Sequence, residues 1–194
     1  MSLEDTLRRL PPAATEFARE RLEHHWSEAA WLYARRDVLH LQGGLVPPEQ
    51  WHDIEVRAKA HVVALQRGGR LASGECEARA RDGDHGELHT AVRVLCRSDL
   101  AEPFDALVNE LDWQDQPRAW AVADALAWDA PEAWQRLVGA ILEDESAPED
   151  ALGPLASVAG RRGWAMADAL VAVLEDEVGD LGAVAEAIAR LGAA

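Results

Sequence analysis

The fold of this chain is decided by residues 131–177, which read PEAWQRLVGAILEDESAPEDALGPLASVAGRRGWAMADALVAVLEDE. Two similar endings lie within this stretch, LVGAILED at 137–144 and LVAVLED at 170–176. Their apolar residues recur at spacings of three and four, which is typical of an amphipathic helix. An earlier stretch, LVNELD at 107–112, ends in the same way. The final Asp residues of the three endings are therefore 32 residues apart, and this spacing indicates an internal repeat.

The repeat predicts a stack of helix pairs. Helices are expected to begin near His85, Pro117, Pro148 and Asp180, and each of the first three is followed by a second helix. These second helices are expected at 103–111, 131–142 and 163–174. A two-helix unit of about 32 residues is typical of HEAT-like and related α-solenoids. We therefore predict about three and a half helix pairs.

The N-terminal part of the chain predicts longer helices. Residues 13–41 show helical periodicity, and Gly43-Gly44 would end that helix. Pro47-Pro48 would open a second helix that runs to about Ala72, which Gly68-Gly69 could weaken or break. The predicted class is all-α, with an N-terminal hairpin region at 1–82 and acidic HEAT-like repeats at 83–194. The two regions could also form one continuous domain.

Charge separates the two halves of the sequence. The net charge is −16, with 14 Lys/Arg and 15 Asp/Glu in residues 1–97 but 5 Lys/Arg and 20 Asp/Glu in residues 98–194. Such an excess of acid argues against non-specific binding to nucleic acid or to an anionic membrane. A strong charge asymmetry between halves instead suggests a surface for a basic partner. We therefore expect a protein partner with a basic surface; the oligomeric state stays open.

Location is suggested by what the sequence does not contain. The first twenty residues include no apolar core of a signal peptide, and no apolar run approaches the length that spans a bilayer. Two cysteines do not make a disulfide framework. The expectation is a cytoplasmic protein.

Acidic turns and the tryptophans beside them are the candidate partner-binding residues. The clusters at 143–145 and 175–177 fall at predicted helix C-termini, where the helix dipole disfavours anions, so local stability alone gives no reason for them. A half-exposed Trp beside carboxylates could anchor an Arg or Lys of a partner. The candidates are Asp112, Trp113, Asp115, Trp128, Asp129, Glu143, Asp144, Glu145, Glu149, Asp150, Glu175, Asp176, Glu177 and Asp180. Solvated acids that keep the stack soluble, and tryptophans that fill the core, are the alternative interpretation.

Catalytic and metal-binding patterns are weak. His85 and His89 are spaced as in a metal-binding helix, but Cys76 and Cys96 are isolated rather than paired. No nucleophile with a base and an orienting group can be placed, and no GxSxG, Walker A or GxGxxG motif occurs. We therefore expect no catalytic residues, no cofactor and no metal.

The segment 47–72, PPEQWHDIEVRAKAHVVALQRGGRLA, resembles one family. Ile54, Arg57, Ala60-His61, Leu65 and Gly68-Gly69 are similar to a segment of a bacterial HEAT-like repeat family that is often encoded near type VI secretion systems. Residues 62–64, Val-Val-Ala, stand where that family usually shows Leu-Asp-Gly. The match covers about 26 residues, and the order of hairpin, segment and repeats is also similar.

The resemblance implies a setting rather than an activity. Small acidic proteins in such neighbourhoods are frequently immunity proteins, and a nuclease effector is basic where it meets nucleic acid. The expected function is therefore binding and neutralisation of a cognate toxic effector, such as a nuclease with a basic cleft. The alternatives are an adaptor or chaperone that loads an effector and, from the HEAT-like enzymes, a bilin lyase or a DNA glycosylase. A DNA glycosylase needs a basic groove that faces DNA, so the negative charge of the repeat half argues against this activity.

Overall fold

The computed structural model of the protein describes residues 11–41, 47–144 and 146–192. Within these ranges the chain is all-α and contains no strand, so the predicted all-α, repeat-like class is confirmed. A 3₁₀ turn at Glu132–Trp134 directly precedes the seventh helix. The helices are α1 (Pro12–Leu41), α2 (Pro48–Arg67), α3 (Arg70–Asp82), α4 (His85–Arg97), α5 (Ala101–Glu110), α6 (Gln116–Asp129), α7 (Gln135–Leu142), α8 (Glu149–Arg162), α9 (Ala167–Glu175) and α10 (Leu181–Gly192).

The chain divides into two compact units, Met1–Val94 and Leu95–Ala194. The division lies inside α4, whereas the sequence predicted two regions at 1–82 and 83–194. The charge asymmetry follows this division, because the second unit holds 6 Lys/Arg against 20 Asp/Glu.

In the first unit, α1 and α2 pack as an antiparallel hairpin. His25 on α1 meets His61 on α2, and one turn further along α1 Glu28 meets Arg57, one turn earlier on α2. Leu32 and Ile54 belong to the buried cluster between the two helices. Burial of such apolar side chains stabilises the hairpin by about 25 cal/mol for each Å² removed from water.

Gly68-Gly69 breaks the second predicted helix. The helix that was expected to run to about Ala72 ends at Arg67, and α3 begins at Arg70. Gly69 has φ 55°, a conformation that glycine adopts without the steric cost that other residues meet. A Cβ on Gly68 would also lie only 2.6 Å from Leu22 Cδ2 on α1. The two glycines therefore both turn the chain and allow it to pass close to α1.

The second unit is a two-layer stack of helix pairs. One layer consists of α6, α8 and α10, which contact one another in that order, and α7 and α9 form the other layer. The helices α4, α6, α8 and α10 begin at His85, Gln116, Glu149 and Leu181, each within one residue of the predicted start. The 32-residue period therefore corresponds to one helix pair of the stack.

Three hydrogen bonds connect equivalent positions of successive repeats. The Arg97 guanidinium donates to Asp129 at 2.7 Å, the Arg162 guanidinium donates to the Ala130 carbonyl at 2.8 Å, and Trp164 Nε1 donates to Glu132 at 3.1 Å. In each bond the two residues are 32 positions apart. Each repeat is therefore attached to its neighbour by polar contacts as well as by apolar packing.

The helices α8 and α10 approach each other at backbone distance. A Cβ placed on Gly160 of α8 would lie 2.7 Å from the Cα of Ala187 on α10 and 3.2 Å from its carbonyl oxygen. Ala187 is itself buried. Small residues at this crossing let the two helices come closer than larger side chains would allow.

Candidate protein-binding groove

An open groove lies between α7 and α9 in the second unit, and we call it the acidic groove. It consists of two adjoining cavities of about 500 Å³ and about 530 Å³, which share Glu143 and Ala169. The first cavity reaches the start of α8, and the second extends along α7 toward the residues that precede α9. The groove is thus built from the equivalent second helices of two successive repeats.

The floor of the acidic groove is apolar. Leu142, Leu152 and Val173 line the first cavity, Met166 lines the second, and all four are buried. Gly139 on α7 leaves room for Met166, whose Cε would lie 3.5 Å from a Cβ at that position. A floor of this kind can receive the aliphatic part of a long side chain.

The rim of the first cavity carries four carboxylates. Glu143 and Asp144 follow α7, Glu149 opens α8, and Asp176 follows α9. All four side chains belong to exposed residues. A lysine or arginine whose stem lay on the apolar floor would place its charge among these carboxylates.

Two helix ends add to the negative potential of this rim. Glu143 is the C-terminal cap of α7, and its amide donates to the Gly139 carbonyl at 3.0 Å. Asp176 caps α9 in the same way, and its amide donates to the Ala172 carbonyl at 3.0 Å. The last carbonyl groups of a helix carry the negative end of its dipole, so both helices reinforce the charge of the carboxylates.

Two hydrogen bonds within its own turn hold the side chain of Asp144 in place. The Ser146 hydroxyl donates to Asp144 Oδ1 at 2.7 Å, and the Ser146 amide donates to the same oxygen at 2.8 Å. These two hydrogen bonds lower the pKa of Asp144, with the hydroxyl making the larger contribution. Hydrogen bonds that are made to the charged form favour that form. The turn therefore favours the ionised carboxylate and holds it in place.

The second cavity is more mixed in character. Arg136 and Asp168 line it together with Gln135, whose side-chain amide donates to the Ala165 carbonyl at 3.5 Å. Negative charge is thus concentrated at the end of the groove where α7 and α9 finish.

The fourteen predicted residues fall into separate groups in the structure. The acidic groove brings together Glu143, Asp144, Glu149 and Asp176. Asp150, Glu175 and Glu177 are exposed, and each is next in the sequence to a residue of the groove. Glu177 adopts the left-handed backbone conformation with φ 57°. Glu145 lies outside the described residues.

Other predicted acidic residues accept hydrogen bonds from backbone amides at helix ends and turns. Asp115 and Asp180 cap the N-termini of α6 and α10, since they accept from the amides of Arg118 and Ala183 at 3.3 Å and 3.1 Å. Asp112 accepts from the amide of Gln114 at 3.0 Å. Among the acids at 143–145 and 175–177, for which local stability was expected to give no reason, Asp144 is a correction, because its carboxylate accepts two hydrogen bonds from Ser146 within its own turn. Capping and Asx turns satisfy backbone amides that would otherwise lack partners.

Two of the predicted partner-binding residues, Trp113 and Asp129, are held within the protein by their own contacts. Trp113 is only 4% exposed, and its Nε1 donates to the Val108 carbonyl at 3.2 Å, so a half-exposed anchor is not present at this position. The Asp129 side chain is 8% exposed and pairs with Arg97 at 2.7 Å. Trp128, by contrast, is 40% exposed and keeps the surface that an anchor needs. Tertiary packing buries Trp113 but leaves Trp128 exposed, although both tryptophans adjoin acidic residues in the sequence.

The lining residues missing from the prediction include Arg136, Asp168 and Met166. Arg136 and Asp168 lie 32 positions apart, so they occupy equivalent places in successive repeats, and Met166 supplies part of the floor. The period was therefore a signal that could have placed Arg136 and Asp168 on one surface. Nothing in the sequence indicated that α7 and α9 leave a groove between them.

The cysteines and histidines do not assemble into a metal centre in the part of the chain that the structure describes. No group of three or more His, Cys, Asp or Glu residues is arranged there to hold a metal ion. Cys76 is buried, and burial raises the pKa of its thiol to about 12. His89 is buried and stacks on Tyr33, with ring centroids 3.7 Å apart. These residues contribute to packing in the first unit.

None of the described helices combines the length and the apolar character that crossing a membrane requires.

No protein-family model matches the chain, and neither a curated protein nor a solved structure matches it.

Proposed function

We propose that this chain is a binding protein that captures a basic segment of another protein in the acidic groove. The observation that carries the proposal is the combination of an apolar floor with four rim carboxylates at one end of an open groove. Arginine and lysine have the matching construction, an aliphatic stem with a terminal charge. A partner surface that carries such residues would bury the stems and pair the charges.

The charge of the second unit favours fast association. Its 6 Lys/Arg and 20 Asp/Glu produce an excess of negative charge that is not confined to the groove. Complementary fields of this kind raise association rates and fix the orientation of the encounter. Nucleic acid is disfavoured as a direct ligand for the same reason, because its phosphates repel the carboxylates.

We further propose that the partner is a toxic effector and that binding neutralises it. This step rests on the resemblance of residues 47–72 to the HEAT-like family encoded near type VI secretion systems. A nuclease effector must keep a basic cleft for its own substrate, and an acidic protein that fills the cleft would block substrate access. On this view the chain acts by occlusion and carries out no chemistry.

Binding can be tested with the purified full chain and the protein encoded beside it. We expect a complex by isothermal titration calorimetry that weakens between about 50 mM and about 300 mM salt, because screening shortens the range of the attraction. Neutralising the groove with Glu143→Gln, Asp144→Asn and Asp176→Asn together should weaken the complex by about tenfold or more. Asn at 144 can still accept from Ser146, so the turn is preserved.

A matched control removes the same charge elsewhere in the second unit. Glu102→Gln, Asp105→Asn and Glu110→Gln neutralise three exposed acids of α5, outside the groove. This control should leave the affinity within about twofold, as expected for remote surface charges. Equal losses in both triple variants would refute the assignment of the groove, and no binding by the unaltered chain would refute the proposed partner.

Co-expression separates neutralisation from delivery. If the chain is an immunity protein, cells that express the effector survive when the unaltered chain is present and die when the groove variant replaces it. A complex that forms while the effector stays toxic would contradict neutralisation and indicate an adaptor.

A further inference from the structure

Arg136 gives the acidic groove a second charged end. It is exposed, and it is the only basic residue among the described residues that line the groove. It lies in the second cavity, seven residues before Glu143, which belongs to the acidic end. At about 100° per residue, positions seven apart fall on the same side of a helix. Arg136 and Glu143 therefore stand on one wall of the groove, about 10 Å apart along α7.

Small residues separate the two charged ends. Those that line the two walls between the ends are Gly139, Ala140, Ala169 and Ala172. Side chains of this size allow the backbone of a docked helix to approach α7 and α9 closely. A helix that lay along α7 would present its own residues at the same spacing, so two of its side chains seven positions apart would reach both charged ends.

Arg136 stands where local stability does not favour a basic residue. It falls in the first turn of α7, where the positive end of the helix dipole disfavours a cation. Asp168 lines the same cavity, but Arg136 forms no ion pair with it or with any other residue in the described part of the chain. Asp168 itself falls in the first turn of α9, where the dipole offsets its charge. Arg136 and two helix N-termini therefore set the potential at this end of the groove.

We propose that the acidic groove recognises charge at two points, and that its occupant is an amphipathic helix of the partner protein. The apolar face of that helix has a basic residue at one end and an acidic residue seven positions away. The basic residue pairs with the rim carboxylates of the first cavity, the apolar residues cover the floor, and the acidic residue pairs with Arg136. This inference rests on the proposed function, and it makes Arg136 the residue that selects against segments that are basic throughout.

The charge of the whole second unit and the charge at Arg136 predict opposite preferences. The unit has 6 Lys/Arg and 20 Asp/Glu, so long-range attraction alone favours the more basic of two segments. A basic residue placed beside Arg136 would instead be repelled, and an acidic residue would be attracted. At about 150 mM salt, exposed charges more than about 8 Å apart are largely screened, so the contact with Arg136 decides which segment binds more tightly.

Two dye-labelled peptides and the full chain test the proposal. Both peptides are alanine-based and about 20 residues long, which is enough for a helix to form in water. Both carry Arg at position i and Leu at i+3 and i+4, but one has Glu at i+7 and the other has Arg there. Fluorescence anisotropy at about 150 mM salt should show that the Glu peptide binds at least about fivefold more tightly, although it is the less basic of the two.

Charge reversal at Arg136 assigns the preference to this residue. Arg136→Glu should make the peptide with two Arg residues the tighter ligand, because both ends of the groove are then acidic. The circular dichroism spectrum should stay unchanged, since an acidic residue suits the first turn of a helix. The matched control is Arg190→Glu, the same change of charge at an exposed residue of α10 outside the groove, and it should keep the preference for the Glu peptide.

The outcomes separate this inference from the proposed function. Equal binding of the two peptides, or tighter binding of the more basic one to the unaltered chain, would overturn recognition at two points and leave the proposed function in place. A preference for the Glu peptide that survives Arg136→Glu would overturn it as well. If neither peptide binds, the inference fails, and the proposed function is judged by the complex with the protein encoded beside the chain.

Discussion

Gly160→Ala should destabilise the helix stack even though alanine is the better helix former. The new Cβ would lie 2.7 Å from Ala187 Cα, 3.0 Å from its Cβ and 3.2 Å from its carbonyl oxygen. Two of these three atoms belong to the backbone, so a side-chain rotation cannot relieve the overlap. The helices α8 and α10 would have to separate, and overpacking of this kind costs about 1–3 kcal/mol.

A matched substitution isolates that cost. Gly139→Ala adds the same methyl group inside α7, where the nearest contact would be Met166 Cε at an ordinary 3.5 Å. Both changes gain about 1 kcal/mol of helix propensity, so their difference reports the steric cost alone. Gly139→Ala should therefore stabilise the protein slightly, and Gly160→Ala should be less stable than Gly139→Ala by about 1–3 kcal/mol.

Urea denaturation followed by circular dichroism and tryptophan fluorescence measures this difference. For a unit of this size, 1 kcal/mol corresponds to a shift of about 4–8 °C in the melting temperature, which offers a second readout. If Gly160→Ala is as stable as Gly139→Ala, the backbone contact between α8 and α10 is refuted.

Three further predictions concern single side chains. Burial is the main cause that lowers the pKa of both His25 and His61 in the folded chain. Below about pH 6.5 the unfolded chain therefore binds more protons than the folded chain. The free energy of unfolding should consequently decrease as the pH falls below about 6.5. Equilibrium unfolding at about pH 8 and about pH 5.5 checks this; His25→Gln with His61→Gln should reduce the dependence, and an unchanged dependence in this double variant would contradict the prediction. Asp115→Ala should cost about 1 kcal/mol by removing the cap of α6, whereas Asp115→Asn should cost much less, as thermal melts would reveal. Cys76 should not react with a thiol reagent in the folded protein and should react after unfolding in urea; labelling before urea is added would contradict its burial.

The repeat could be predicted from the sequence because its signals, the helical periodicity and the helix ends, are local. Each first-layer helix begins beside a proline, an aspartate or a histidine that starts a helical period, and the similar endings at 137–144 and 170–176 mark where second-layer helices finish. Periodicity and end signals are local properties, so the positions of α6, α8 and α10 could be derived without tertiary information.

The roles of residues that depend on tertiary contacts could not be predicted from the sequence. Trp113 and Trp128 both stand beside acids, but only packing against the α5 end buries the first of them. Asp115 and Asp176 are the same residue type at helix ends, yet the first caps an N-terminus and the second lies at a groove. Helix α3 was missed because Gly68-Gly69 is compatible with either a weakened helix or a break.

The three hydrogen bonds between residues 32 positions apart bear on how such a chain can change in length. Each bond joins one repeat to the same place in the next, as Arg97 and Asp129 do, so its two partners never lie in a single block of 32 residues. Duplication of one repeat would set two copies of the same residue at equivalent places, whereas duplication of two successive repeats would bring both partners of a new bond with it. Insertion of a few residues would misalign every later bond. Growth of this protein in evolution should therefore preserve these bonds when two helix pairs are added together.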